Sequence, residues 1–152
     1  LGTYVERADS TARILDVKYY VLLPSAAHVG SLVDNLQWET ILRSVSAQRA
    51  YRWAQTGEPT AAGITHFLIL DRRMPRSLRF CAERINDSLS SLADAYGDHR
   101  QCHDLAQELL ARFSLDDVGP IFARGLHEFL ARSIAEVGNL GNQIELDYRF
   151  TE

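Results

Sequence analysis

Apolar residues recur every three or four positions along most of the chain, which is the spacing of one face of an α-helix. In residues 1–23 this face is formed by Val5, Ala8, Ala12, Leu15, Tyr19 and Leu22. Ile14, Val17 and Val21 form a second apolar stripe, and a helix with two such stripes packs between neighbours. We expect the helix to end before Pro24, because proline disfavours the helical conformation in the preceding residue.

The same spacing predicts five further helices. The second starts near Ser31 or Asp34 and continues to Trp53, with a bend or break near residues 44–46. A short apolar helix over 60–70 is preferred to a buried strand, because no other stretch offers a strand partner. The remaining helices are predicted over residues 75–96, 99–113 and 120–148, each bounded by Gly or Pro.

Long helices joined by short connections are typical of an antiparallel bundle. The sequence therefore predicts an all-α fold, an antiparallel helical bundle of five or six helices, forming one domain over residues 1–152. Because the chain begins at Leu1 inside a helical pattern, without methionine, we expect it to be a fragment or one half of a longer protein. The predicted core includes Val5, Ala12, Leu15, Tyr19, Ile85, Leu89, Phe122, Leu126, Phe129 and Ile144.

Charge and composition narrow the classes of function. Sixteen basic and twenty acidic residues leave a net charge of −4, which supports neither nucleic-acid binding nor binding to an anionic membrane. No uncharged apolar stretch reaches about 18 residues, so no transmembrane helix is expected. Two cysteines outside any C-x-x-C motif favour a reducing, cytoplasmic location. No motif for a cofactor or for catalysis occurs, and no cofactor is predicted.

A charged cluster lies near the start of the first helix. Glu6 and Arg13 share one side of this helix, whereas Arg7 points nearer the second apolar stripe. A buried guanidinium needs a carboxylate partner, so we expect Arg7 to be buried and paired with one. Glu6, Arg7 and Arg13 form either a ligand-binding cluster or structural ion pairs, such as one between Asp9 and Arg13.

A second cluster of arginines surrounds Pro75 and consists of Arg72, Arg73, Arg76 and Arg79. If Pro75 occupies the first position of a helix, these guanidinium groups lie beside free backbone amides, which suits an anionic ligand. We expect Arg72 and Arg76 to bind it, with the hydroxyl of Ser77 as a further donor. The alternative is neutralisation of the arginines by Asp71 and Glu83.

Two histidines, His99 and His103, lie four residues apart in a predicted helix and could together contact one metal ion. No second pair of ligands has matching spacing, and a polar first turn of an exposed helix explains them as well. No metal site is therefore predicted.

Three segments of the chain resemble the alpha-E family, which is named for its helices and its Glu-Arg motif. They are LGTYVERADSTARILD at 1–16, FLILD with MPRSL and Cys81 at 67–81, and GLHEFL at 125–130. In that family these blocks belong to the later half of a longer chain. Thr3 departs from the family pattern, where an arginine precedes the aromatic residue, so any contact of that arginine is in doubt here.

The resemblance implies a role in a predicted peptide- or amide-forming system. Members of the family accompany, or are fused to, a circularly permuted ATP-grasp ligase and a transglutaminase-like protein. The first hypothesis is an accessory domain that binds the ligase or its substrate. In the second, the chain is an enzyme in which Glu6, with a pKa raised by burial, acts as acid or base. The third is a structural assembly module, and a homo-oligomer is left open.

Overall fold

The computed structural model describes residues 1–22, 39–44, 47–54 and 61–148. Residues 39–44 are helical, and the other helices are α1 (Gly2–Leu22), α2 (Gln48–Ala54), α3 (Ala61–Ile69), α4 (Leu78–Tyr96), α5 (Gln101–Arg112), α6 (Gly119–Arg124) and α7 (Leu126–Tyr148). These ranges contain no strand, so the all-α prediction is confirmed. The stop at Pro24, the start at Ser31 or Asp34 and the side chain of Tyr19 lie outside the described residues. No described helix combines the length and the hydropathy that crossing a bilayer requires.

Four long helices form the antiparallel bundle, and each lies beside two of the others. α1 packs against α4 and α7, and α5 packs against the same two helices from the opposite corner. α1 and α7 run in opposite directions, because Val5 lies near Gly141 while Asp16 pairs with His127. α4 and α5 are also antiparallel, since the Asn86 amide donates to the carbonyl of Ala106 (2.8 Å) and His103 contacts the carbonyl of Leu89.

The bundle core contains most of the predicted apolar positions. Ala12, Leu15, Ile85, Leu89, Leu126 and Ile144 are buried, and Val5 and Phe129 are partly buried against them. Phe122 was expected in the core but is 42% exposed. The reason is that the predicted last helix is two helices, because Gly125 adopts a φ of 108°, which interrupts the helix. The residues of α6 therefore do not continue the buried face of α7.

The described part of the apolar segment predicted over 60–70 is a helix, Ala61–Ile69, and not a strand. Ile64 and Leu68 lie on one side of α3 and Ile69 lies on another, and all three residues are completely buried. A helix that is apolar on all sides is enclosed by its neighbours. Phe67 adds an edge-to-face contact with Tyr51, with ring centroids 5.3 Å apart.

The ends of α4 depend on two residues with special backbone roles. Ser77 is the N-cap, since its hydroxyl accepts a hydrogen bond from the amide of Phe80 (3.0 Å). α4 therefore begins at Leu78, and the prediction that Pro75 occupies the first helical position is wrong. Gly97 ends the helix with a left-handed φ of 74°, and its amide donates to the carbonyl of Ala93 (2.8 Å).

His103 connects α4, α5 and α7 at one end of the bundle. Its Nε2 lies 2.9 Å from the carbonyl oxygen of Leu89, and its Nδ1 accepts from the amide of Arg100 (3.0 Å). The neutral ring protonated on Nε2 satisfies both contacts. The hydroxyl of Tyr148, at the end of α7, lies 3.2 Å from the same Nε2. His103 is therefore a buried connector between helices.

We expect His103→Leu to lower the free energy of unfolding by about 1–3 kcal/mol, because the Leu89 carbonyl and the Arg100 amide lose a partner at a buried position. Urea denaturation followed by circular dichroism measures this difference. Gln107→Leu is the matched control, since Gln107 lies one turn further along α5 and is exposed. Equal stability of the two variants would contradict the connecting role of His103.

Candidate functional site

Glu6 and Arg7 are neighbours in the sequence but lie on different sides of α1. Consecutive side chains on an α-helix point about 100° apart. Glu6 is exposed and lines a groove, whereas Arg7 is half-buried and contacts the turn before α4. The side chains of this Glu-Arg pair therefore face different parts of the molecule, Glu6 the groove and Arg7 the turn.

Arg7 and Thr11 attach the turn at residues 71–77 to α1. Nη1 of Arg7 donates to the carbonyl of Pro75 (3.4 Å), and its guanidinium lies over the ring of Tyr4, 5.2 Å from the centroid. The buried hydroxyl of Thr11 donates to the carbonyl of Arg76 (2.8 Å). The first and second of the three sequence segments therefore meet in space.

The expected carboxylate partner of Arg7 is not found within the described part of the chain. The prediction that Arg7 is paired with a carboxylate is therefore wrong there. Its physical basis was that a buried guanidinium needs compensation. Here the compensation comes from a backbone carbonyl and an aromatic face, and the side chain is only half-buried.

The arginines of the 71–77 turn are largely engaged by acidic neighbours. Nε of Arg72 donates to Glu83 (3.0 Å), and Arg73 lies 3.8 Å from Asp71. Asp71 also accepts from the backbone amides of Arg73 (2.7 Å) and Met74 (3.2 Å), which shapes the turn. This is the neutralisation that the sequence left open as the alternative to anion binding.

The hydroxyl of Ser77 is not available as a hydrogen-bond donor to an anion at this turn. Its hydroxyl donates to the carbonyl of Asp71 (2.5 Å) while capping α4, and the residue is completely buried. Arg76 is half-buried beside Cys81, and its own carbonyl accepts from Thr11. Two of the residues expected to bind an anion therefore have other partners. Ser77 caps α4, and Arg72 forms an ion pair with Glu83.

The two cysteines are buried thiols. Burial raises the pKa of Cys81 to about 12, and the positive charges of Arg7 and Arg76 oppose this rise only in part. Burial also raises the pKa of Cys102 to about 12, and the neighbouring Asp147 adds to the rise. Because the thiolate is the nucleophilic form, neither side chain is a nucleophile at neutral pH.

His99 and His103 come together in space, with ring centroids 4.8 Å apart. His99 pairs with Asp104, with an N–O distance of 2.8 Å, and both ring nitrogens of His103 have backbone partners. In the described ranges no group of three His, Cys, Asp or Glu side chains could hold a metal ion. The pair therefore contributes to the structure of the bundle end.

A groove of about 940 Å³ lies beside α1. Its polar lining consists of Glu6, Asp9, Ser88, Ser91, Asn142 and Glu145. Its apolar lining consists of Leu1, Val5, Leu92, Val137 and Ile144, and Gly2, Gly138 and Gly141 complete the wall. We call this cavity, between α1, α4 and α7, the acidic groove.

Carboxylates are the charged groups of the acidic groove, and the described residues of its lining include no lysine or arginine. Asp9 pairs with the exposed Arg13 (2.9 Å), and the hydrogen bond and the charge of Asp9 raise the pKa of that arginine. Glu6 and Glu145 form no ion pair with any described residue and are exposed. Arg13 therefore belongs to a structural ion pair, while Glu6 remains a candidate for ligand binding.

Two glycines of α7, Gly138 and Gly141, line the acidic groove. A Cβ added at Gly141 would lie 3.5 Å from Val5, so this position lies beside a neighbouring helix. A Cβ added at Gly138 would meet nothing within 4 Å. Glycine within a helix costs stability, and at Gly138 neither close packing nor a positive φ explains it. The residue leaves open space in the groove wall.

Sequence reasoning did not find the acidic groove, although one signal was present. Gly125, Gly138 and Gly141 lie in the predicted last helix, where glycine is less favourable than alanine by about 1 kcal/mol. Gly125 marks the break and Gly141 a helix contact, but Gly138 does neither. A helical glycine that neither packing nor a bend explains is the signal that indicates an open surface.

We expect Arg7→Met to lower the free energy of unfolding by about 1 kcal/mol, because the methionine loses the hydrogen bond to Pro75 and the stacking on Tyr4. Thermal unfolding measures the change. Arg13→Met is the control on the same helix, and its melting curve should stay unchanged because Arg13 is solvent-exposed. A loss with Arg7→Met no larger than with Arg13→Met would contradict the anchoring of the turn.

We expect Gly138→Ala to raise the free energy of unfolding by about 1 kcal/mol, because alanine favours the helix and its methyl group enters open space. Chemical denaturation measures this gain. Gly125→Ala should instead destabilise the protein, since φ at this position is 108° and the new Cβ would clash with Glu128. A destabilising Gly138→Ala would show that the groove wall is closed at this position.

Comparison with known proteins gives one match. The family model Alpha-E, described as a predicted alpha-helical domain with a conserved ER motif, matches residues 1–148. Comparisons with curated proteins and with solved structures gave no match. The matched range includes the Glu-Arg pair at Glu6 and Arg7 and a second pair at Glu83 and Arg84, and it ends with α7. The chain belongs to the Alpha-E family.

Proposed function

We propose that this helical domain is a non-catalytic accessory module of a peptide- or amide-forming system, and that it binds a circularly permuted ATP-grasp ligase or the substrate of that ligase. The observation that carries the proposal is the acidic groove, which includes Glu6 of the Glu-Arg motif in its lining. A concave, largely apolar surface with a few polar groups is the usual form of a binding site.

The different positions of Glu6 and Arg7 support a role in binding a ligand or a partner protein. Arg7 anchors the turn before α4, and this contact holds the wall of α1 against the bundle. Glu6 remains exposed at the groove and takes no part in any ion pair of the described chain. The structure therefore uses one residue of the motif internally and leaves the other available to a partner.

The alternative of an acid–base enzyme requires a buried Glu6. Glu6 is exposed, so the burial on which that hypothesis depends is not found. That the chain is a module that only assembles partners stays a prediction. Binding to the transglutaminase-like protein and a cytoplasmic location stay predictions.

We expect the chain to co-purify with a circularly permuted ATP-grasp ligase and to change the rate at which that ligase hydrolyses ATP. Gly138→Trp should weaken the complex, because the indole would occupy the acidic groove without entering the core. Pull-down with a tagged ligase and a coupled ATPase assay provide the two measurements.

Glu108→Gln is the control, since this exposed carboxylate lies on α5, away from the groove. It should leave the complex and the ATPase rate unchanged. If the ligase neither binds the wild-type chain nor responds to it, the proposed function is wrong. If Gly138→Trp binds the ligase as tightly as the wild type, the partner uses another surface.

A further inference from the structure

We infer that the acidic groove binds a short cationic peptide with apolar side chains, and that this peptide is the amino-terminal end of a substrate. This inference rests on the proposed function and specifies the substrate class of the same site. It also reverses the sign of the ligand expected from the sequence, where the arginines around Pro75 suggested an anion.

The apolar part of the lining sets the first requirement on the ligand. Val5, Leu92, Val137 and Ile144 contribute side chains to the groove, and its exposed surface is mainly apolar. Burying an aliphatic side chain against such a surface is favourable by about 25 cal/mol per Å². A ligand with leucine-like side chains gains from this contact, whereas a small hydrophilic amine does not.

The charges of the groove set the second requirement. Glu6, Asp9 and Glu145 contribute three carboxylates to the lining, and the nearby Arg13 compensates Asp9 alone. Glu6 and Glu145 therefore leave a local negative charge that an ammonium or guanidinium group complements. The hydroxyl of Ser88 and the amide of Asn142 add neutral hydrogen-bonding groups that a peptide backbone can use. The Ser91 hydroxyl donates to the carbonyl of Asp87 (3.2 Å) and can accept a further hydrogen bond.

The dimensions of the groove favour a short peptide. Its wall on α7 runs from Val137 to Glu145, a distance of about 12 Å at the helical rise of 1.5 Å per residue. An extended chain advances about 3.3 Å per residue, so about three or four residues span this wall. A volume of about 940 Å³ is at the upper end of the range for small-molecule sites, which also suits a ligand of this size.

The same charges disfavour two other occupants. An anion would lie against Glu6 and Glu145 without a cation in the lining to hold it. A second copy of this chain, placed groove to groove about a two-fold axis, would bring the same carboxylates together. Like charges in close contact oppose association. A cationic peptide is therefore the occupant that the described lining favours.

Three tripeptide amides test the inference by calorimetric titration at millimolar concentration and low salt. Leucyl-lysyl-leucine amide with a free α-amine carries two positive charges. The N-acetylated peptide with Gln at the central position is neutral, and the one with Glu there is negatively charged. We expect affinity to fall in that order, and the advantage of the cationic peptide to shrink when salt is added.

Three variants locate the interaction. Glu6→Gln and Glu145→Gln should each weaken the cationic peptide about two- to fivefold, the range expected for exposed ion pairs. Gly138→Leu should abolish binding of all three peptides while the chain stays folded, because its side chain projects into the groove. Glu108→Gln on α5 should change nothing.

Several outcomes would overturn the inference. They are equal affinity for the three peptides, preference for the negative one, or binding that persists in Gly138→Leu. Absence of peptide binding together with intact, Gly138→Trp-sensitive binding of the ligase would show that the groove is a protein interface. That result would leave the proposed function standing, whereas a chain that binds peptides but ignores the ligase would overturn the proposed function alone.

Discussion

The hydrogen bonds from α1 to the turn before α4 are the contacts on which the arrangement of the bundle depends. Thr11 and Arg7 donate to two consecutive carbonyls, those of Arg76 and Pro75, whose residues are not part of a helix. Backbone carbonyls in a partly buried turn need partners, and α1 supplies them. Ser77 of the same turn caps α4, and α4 lies antiparallel to α1, since Thr11 contacts Arg76 and Tyr4 contacts Phe80.

This attachment gives the faces of α1 separate tasks. The face with Arg7 and Thr11 holds the turn, and the face with Ala8, Ala12 and Leu15 enters the core. The side that carries Glu6 and Asp9 is left to form one wall of the acidic groove with α7. A short Glu-Arg motif can therefore combine a structural residue with one that faces a ligand, because adjacent residues on a helix point in different directions.

Local charge, and not the number of charged residues in a segment, decides which ion a surface attracts. The arginines around Pro75 are numerous, but Glu83 and Asp71 neutralise part of that cluster. The carboxylates of the acidic groove are few, but two of them lack a described cationic partner. Ion pairs between exposed groups contribute little to stability, so their main effect here is to cancel one surface charge and to leave another.

The sequence by itself determined the helices and their buried faces, because apolar residues spaced three and four positions apart lie on one side of a helix. It predicted α1, the apolar helix α3 and the core positions Ala12, Leu15, Ile85 and Leu89. Contacts between distant segments were decided only by the tertiary structure. Arg7 and Pro75 are 68 residues apart, and the walls of the groove come from three helices. The break at Gly125 was also missed, since glycine is compatible with both a helix and a positive φ, and packing selects between them.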